Sequence, residues 1–170
     1  MEVVFGNGLP LASLLADAQA LDEAGFANKH GAAFLLFEEE ERPASTSEQR
    51  TTGSVRLGAR GRPALVFPVI RKRESTFDFI SVGRHENNDI YLPSPSVSRF
   101  HAYLRQHGSE HTVQDASSRT GTTLDGVPVP RQGDGAPVSL RPGAELTFGD
   151  VRATFVDAAL FLELARTVLR

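Results

Sequence analysis

Three short polar stretches carry residue types suited to holding an anion. Gly83-Arg84 is followed by Asn87-Asn88-Asp89, Ser98-Arg99 stands just before Phe100 and His101, and residues 115–122 read DASSRTGT. Arg84, Arg99 and Arg119 offer planar forks of N–H donors, and Ser98 offers a hydroxyl. Such groups, with their positive charge, supply what a phosphate dianion needs. Taken singly, each has a plainer use: an arginine in a turn is solvated, and Ser98 caps a strand. Acting together requires a fold that brings the three stretches to one place.

Other chemistries find no support in the residue pattern. There is no GxSxG elbow, P-loop, HExxH pair or cysteine, so the common nucleophilic, nucleotide-binding and zinc-hydrolase sites are not expected. Ser98 and His101 lie three residues apart on an emerging strand, a poor arrangement for a dyad, and no third group is specified. His30, His85, His101, His107 and His111 show no metal-ligand spacing. The reading is a non-enzyme with no metal and no cofactor. A formal net charge of -3 argues against a general nucleic-acid binder, which draws its affinity from many Lys and Arg contacts.

The elements that must position these stretches follow from the apolar pattern. The 170 residues suit one core with short additions. Leu11, Leu14, Leu15, Ala18 and Leu21 recur at helical spacing, with Pro10 fit for the first turn and Gly25 for the stop. Residues 32–37 read as a buried strand, and residues 42–62, rich in Pro, Ser, Thr, Gly and charge, as a flexible linker. Short apolar segments then alternate with turn signals, the pattern of a sandwich or barrel. Strands are expected at 64–70, 77–82, 90–92, 101–106, 112–115, 123–124, 138–140, 145–148 and 152–156. After Asp157 a stripe of Leu160, Phe161, Leu164, Ala165 and Val168 predicts a helix that covers the sandwich or pairs with the first helix.

No apolar run approaches the roughly twenty residues that span a bilayer, and the start lacks the features of a signal peptide, so a cytoplasmic protein without a membrane partner is expected. Lysine occurs only at positions 29 and 72 while arginine is abundant, a bias that fits a GC-rich bacterial genome.

Along the β region stand, in order, GR (83–84), NND (87–89), SVSRFH (96–101), DASSRTGT (115–122) and GAELTFG (143–149). This ordered series resembles the forkhead-associated (FHA) domain family over about residues 64–156. The resemblance implies a mainly β fold, an FHA-type β-sandwich of about eleven strands, here with short helices before and after it. The expected organisation is an extension at 1–41, the linker at 42–62, the FHA domain at 63–156 and a terminal helix at 157–170.

It also implies a module whose loops grip a phosphothreonine segment. By position, Arg84 resembles the phosphate-binding arginine and Ser98 the serine that donates to the phosphate, with Arg99 a further polar contact. His101 resembles the motif histidine that braces the loop from inside. Gly83 and Gly121 would permit tight turns, Thr122 would fix the second loop, and Asn88 belongs with these loop-structuring residues. Thr120 departs from the family, which has Asn there to hydrogen-bond the peptide backbone. A hydroxyl cannot serve a backbone donor and acceptor together as an amide can. Arg119, beside it, either adds charge at the phosphate or points into solvent. The implied role is an adaptor in serine/threonine kinase signalling, its partner a phosphothreonine-containing protein such as a kinase or its substrate. The alternative is a phosphate-independent scaffold or oligomerisation module with a degenerate site.

Overall fold

In the computed structural model, which describes residues 6–37, 65–72 and 76–168, the first elements are strand β1 (Leu9–Pro10), helices α1 (Ala12–Ala20) and α2 (Glu23–His30), and strand β2 (Ala33–Phe37). There follow β3 (Leu65–Pro68), β4 (Ile80–Gly83), β5 (Ile90–Tyr91), β6 (Ala102–His107), β7 (Glu110–Asp115), β8 (Thr122–Leu124), β9 (Val127–Pro128), β10 (Val138–Leu140), β11 (Glu145–Phe148), β12 (Val151–Asp157) and helix α3 (Ala158–Val168). They form a seven-stranded sheet, β1-β3-β2-β12-β11-β8-β9, and a five-stranded sheet, β10-β7-β6-β4-β5. All pairings are antiparallel except β4 with β5. The expected linker, 42–62, lies outside the described residues.

Alternate side chains of a strand face opposite sides of its sheet, and β2 shows what that means when both sides are covered. All five of its residues are buried. Ala33, Leu35 and Phe37 enter the core between the sheets with Val82, Leu104, Val113, Phe148 and Phe155. Phe34 and Leu36 join a second core under the helices with Leu14, Phe26, Val156 and Phe161. The uninterrupted apolar run therefore reflects burial on two faces. Its backbone pairs with β3 on one side, Leu35 opposite Phe67, and with β12 on the other, Leu35 opposite Phe155.

The outer layer is built from α1, α2 and α3, with the rings of Phe26, Phe34 and Phe161 meeting at centroid distances of 5.0 to 5.8 Å. As expected, Asp157 caps α3: its Oδ1 accepts from Leu160 N at 2.8 Å. The helix does both things foreseen for it, covering the sheet and pairing with the first helix.

Three expectations are corrected. Gly25 does not stop the first helix, which ends at Ala20; it lies in the first turn of α2, where its N–H donates to Asp22 Oδ1 at 2.8 Å. Asp22 starts a new helix where the glycine suggested an ending. Pro10 lies in β1, paired with Leu65, and not in the helix. The strand expected from Phe77 begins only at Ile80, where pairing with β6 begins.

Candidate functional site

Strand register brings the three polar stretches together. Val82 stands opposite Ala102, and Ala102 opposite Asp115, so the end of β4, the start of β6 and the end of β7 lie at one end of the five-stranded sheet. The loops at 84–89, 92–101 and 116–121 all meet that end.

The segment 94–98 is held residue by residue. Ser94 Oγ donates to Asp150 Oδ1 at 3.1 Å, and Ser96 Oγ donates to the same oxygen. The carbonyl of Pro95 accepts from Arg119 Nη2 at 3.0 Å, and that of Ser96 from Thr120 Oγ1 at 2.7 Å. The Val97 carbonyl accepts from Arg84 Nε at 3.0 Å, and the Ser98 carbonyl from Arg84 N at 2.9 Å. Ser98 Oγ accepts from Arg119 N at 3.0 Å. Arg84 and Arg119 are therefore joined directly to Ser98, and Thr120 is tied to the same segment through Ser96.

His101 is fully buried beneath this segment. Its Nδ1 accepts from Ser98 N at 3.0 Å, which puts the proton on Nε2, and Nε2–H donates to the Gly121 carbonyl at 2.9 Å. Burial holds the ring's pKa below the usual histidine value of 6.5, opposed by the bond to Gly121 and the charge of Asp115. A neutral imidazole thus bridges the 92–101 loop to the 116–121 loop.

The 116–121 loop is wound around Asp115, also fully buried. Its carboxylate accepts from Ser118 N at 2.9 Å, Ser118 Oγ at 2.6 Å and Thr122 Oγ1 at 2.7 Å, while Ser118 Oγ accepts from Gly121 N at 2.9 Å. Gly121 has φ of +87°, a conformation that a side chain would strain. On the other side, buried Asn88 donates through Nδ2 to the carbonyls of His85 at 2.8 Å and Arg99 at 2.7 Å. Gly83 leaves room for this: a Cβ there would lie 2.2 Å from the Arg99 carbonyl oxygen and 2.7 Å from Asn88 Nδ2. Close approach, not an unusual backbone angle, is what requires glycine at 83.

The donors left over define what the site can do. Arg84 spends only Nε on the protein, so both Nη groups are without partners among the described residues, as is the Arg99 guanidinium. Ser98 Oγ accepts a bond but its hydrogen remains to be given. Two adjoining loops, joined by the Arg84–Val97 bond, thus present two guanidinium groups and a hydroxyl, the kinds of donor that bind an oxyanion. Among the described residues no group of three or more His, Cys, Asp or Glu is placed to hold a metal ion.

The family model for the FHA domain matches residues 80–149, which span all these loops. An oxoglutarate dehydrogenase inhibitor of Corynebacterium glutamicum is 32% identical over 115 residues, covering 67% of this chain and 73% of that protein. The chain belongs to the FHA domain family.

The glycogen accumulation regulator GarA of Mycolicibacterium smegmatis is 40% identical to this FHA protein over 76 residues, 45% of this chain and 44% of the relative. The chain spans about half the length of the first curated relatives it matches. The FHA domain of a Chlamydia trachomatis protein shares the fold, with a TM-score of 0.50 at 17% identity over 74% of this chain and 98% of that one.

Sequence reasoning passed over part of this FHA site. Asp115 and Ser118 carried a usable signal, an acid and a hydroxyl three residues apart, the spacing of a local side-chain-to-backbone turn. Ser96 and Asp150 carried none, because their contact joins positions 54 residues apart.

Proposed function

We propose that this FHA domain binds a phosphothreonine-bearing segment of another protein, with the phosphate held by Arg84, Ser98 and Arg99, and that it acts as a non-catalytic adaptor in serine/threonine kinase signalling. The observation that carries this reading is the set of unspent donors on Arg84, Ser98 and Arg99, carried by loops that are hydrogen-bonded to one another. Arg119 contributes mainly by fixing the loop, since its backbone N–H and one Nη are already bonded there. Thr120 holds Ser96, so its hydroxyl is not the backbone-reading group that an Asn provides. The names of the relatives, a glycogen accumulation regulator and oxoglutarate dehydrogenase inhibitors, favour a regulatory task. The partner is a kinase or its substrate, met in the cytoplasm.

The test is titration with peptide libraries of matched sequence bearing phosphothreonine, phosphoserine or unmodified threonine. Phosphothreonine peptides alone should bind. Arg84→Ala should weaken them at least tenfold, about 1.4 kcal/mol or more, with folding unchanged because the side chain is exposed. Absence of binding by the folded wild-type protein would sink the reading.

A further inference from the structure

Beside the phosphate-binding loops, the outer side of the five-stranded sheet carries a strip of aromatic rings. Phe77 meets Phe79 at 5.2 Å between centroids; Phe79 meets Phe100 at 5.9 Å and Tyr103 at 5.2 Å; Phe100 and Tyr103 lie 6.1 Å apart. Phe77 is 62% exposed and Phe100 40%, Phe79 is half-buried, and Tyr103, 4% exposed, lies beneath them as the floor of the strip. Isolated exposed apolar side chains need no explanation, but rings in mutual contact at the surface mark an interaction site.

Two features say what covers it. The strip is continuous with the phosphate site, since Phe100 follows Arg99 directly. Its charge is also polarised: the Arg105 guanidinium lies 5.0 Å from the Tyr103 ring centroid, so Arg99 and Arg105 both stand at the Phe100–Tyr103 end, while the exposed acid Asp78 stands at the Phe77 end. A chain leaving the phosphate over Phe100 meets rings and arginines together. Interaction surfaces of this composition, aromatic with arginine, carry binding energy out of proportion to their area.

We propose that this strip is a second contact surface for the same phosphoprotein, receiving an aliphatic side chain and a carboxylate from the segment that flanks the phosphothreonine. The inference rests on the phosphothreonine reading above. Because Thr120 is spent on Ser96, the strip supplies contact with the flanking segment that a backbone-reading side chain at 120 would otherwise add.

The experiment compares two sets of phosphothreonine peptides by fluorescence anisotropy: one with alanine flanks, the other with leucine and glutamate randomised over six positions on each side. The full chain and its Phe77→Ser and Phe100→Ser variants are used, with circular dichroism as the folding control. The best randomised peptides should bind the wild type about tenfold more tightly than the alanine-flanked ones. Phe100→Ser should erase that gain, and Phe77→Ser reduce it, while both variants keep the affinity for the alanine-flanked peptides. Equal binding of both sets by the wild type overturns the proposal and leaves phosphothreonine binding intact. If neither set binds, the reading beneath it fails as well. A concentration-dependent dimer in analytical ultracentrifugation that Phe77→Ser abolishes would give the strip to a second copy of the chain and overturn the proposal too.

Discussion

Asp115 accepts three hydrogen bonds, from Ser118 N, Ser118 Oγ and Thr122 Oγ1. Removing it takes the acceptor from a backbone N–H and two hydroxyl donors in the interior, Ser118 Oγ keeping only the bond it accepts from Gly121 N, and each buried donor left without a partner costs about 1 to 3 kcal/mol. Asp115→Ala should therefore lower stability by about 3 to 5 kcal/mol in urea titrations, well beyond the usual effect of a single substitution. Two buried histidines set the response to acid. Burial depresses the pKa of His101 and also of His111, so below 6.5 the unfolded chain takes up protons that the folded chain resists. Stability from these groups is complete above that pH and is lost as the pH falls through the range between the unfolded and folded values. The urea midpoint should drop between pH 7.5 and 5.5, and His111→Leu should flatten part of that fall. At this scale the donor residues were legible because their types are rare in combination and their order along the chain matched a family. The partners that immobilise them were less so: Asp150 reaches Ser94 and Ser96 through the fold alone.

Of the elements, β2 was the most legible, because five consecutive apolar residues have no exposed face to interrupt them. The α1–α2 corner was the least: Gly25 suits a helix end in isolation, yet the carboxylate of Asp22 three residues earlier overrides it by capping the next helix. Of the two-residue strands, β5 was expected at 90–92, whereas β1 and β9, each holding a proline and no apolar run, gave no signal. The helical layer makes its own prediction. Phe161 is fully buried and touches Phe26 and Phe34 across α3, α2 and β2. Phe161→Ala should cost about 3 to 5 kcal/mol, seen as a lower melting temperature, without changing phosphopeptide affinity in the range where the protein remains folded. The layer lies against the seven-stranded sheet, whereas the recognition loops leave the five-stranded one.

Taken whole, the molecule does not divide along its sequence as simply as composition suggests. Residues 33–37 stand between β3 and β12 in the larger sheet and supply side chains to both cores. A chain from which residues 1–37 are removed would expose Phe67 and Phe155 and lose the strand that joins β3 to β12. It should give the amide spectrum of an unfolded protein, whereas the full chain gives dispersed signals. The pairing of Leu36 with Thr154 also dictates an order of events during synthesis. The two partners are about 120 residues apart, so at roughly 5 to 20 residues per second on the ribosome the AFLLF segment waits on the order of ten seconds for β12 to be made. The β3 partner emerges well before then and can occupy one side of the segment, but the other backbone edge stays open until β12 arrives, and an open apolar strand edge is a template for pairing with other chains. The strand order of the larger sheet thus leaves the growing chain with an association-prone edge until its last strand is made.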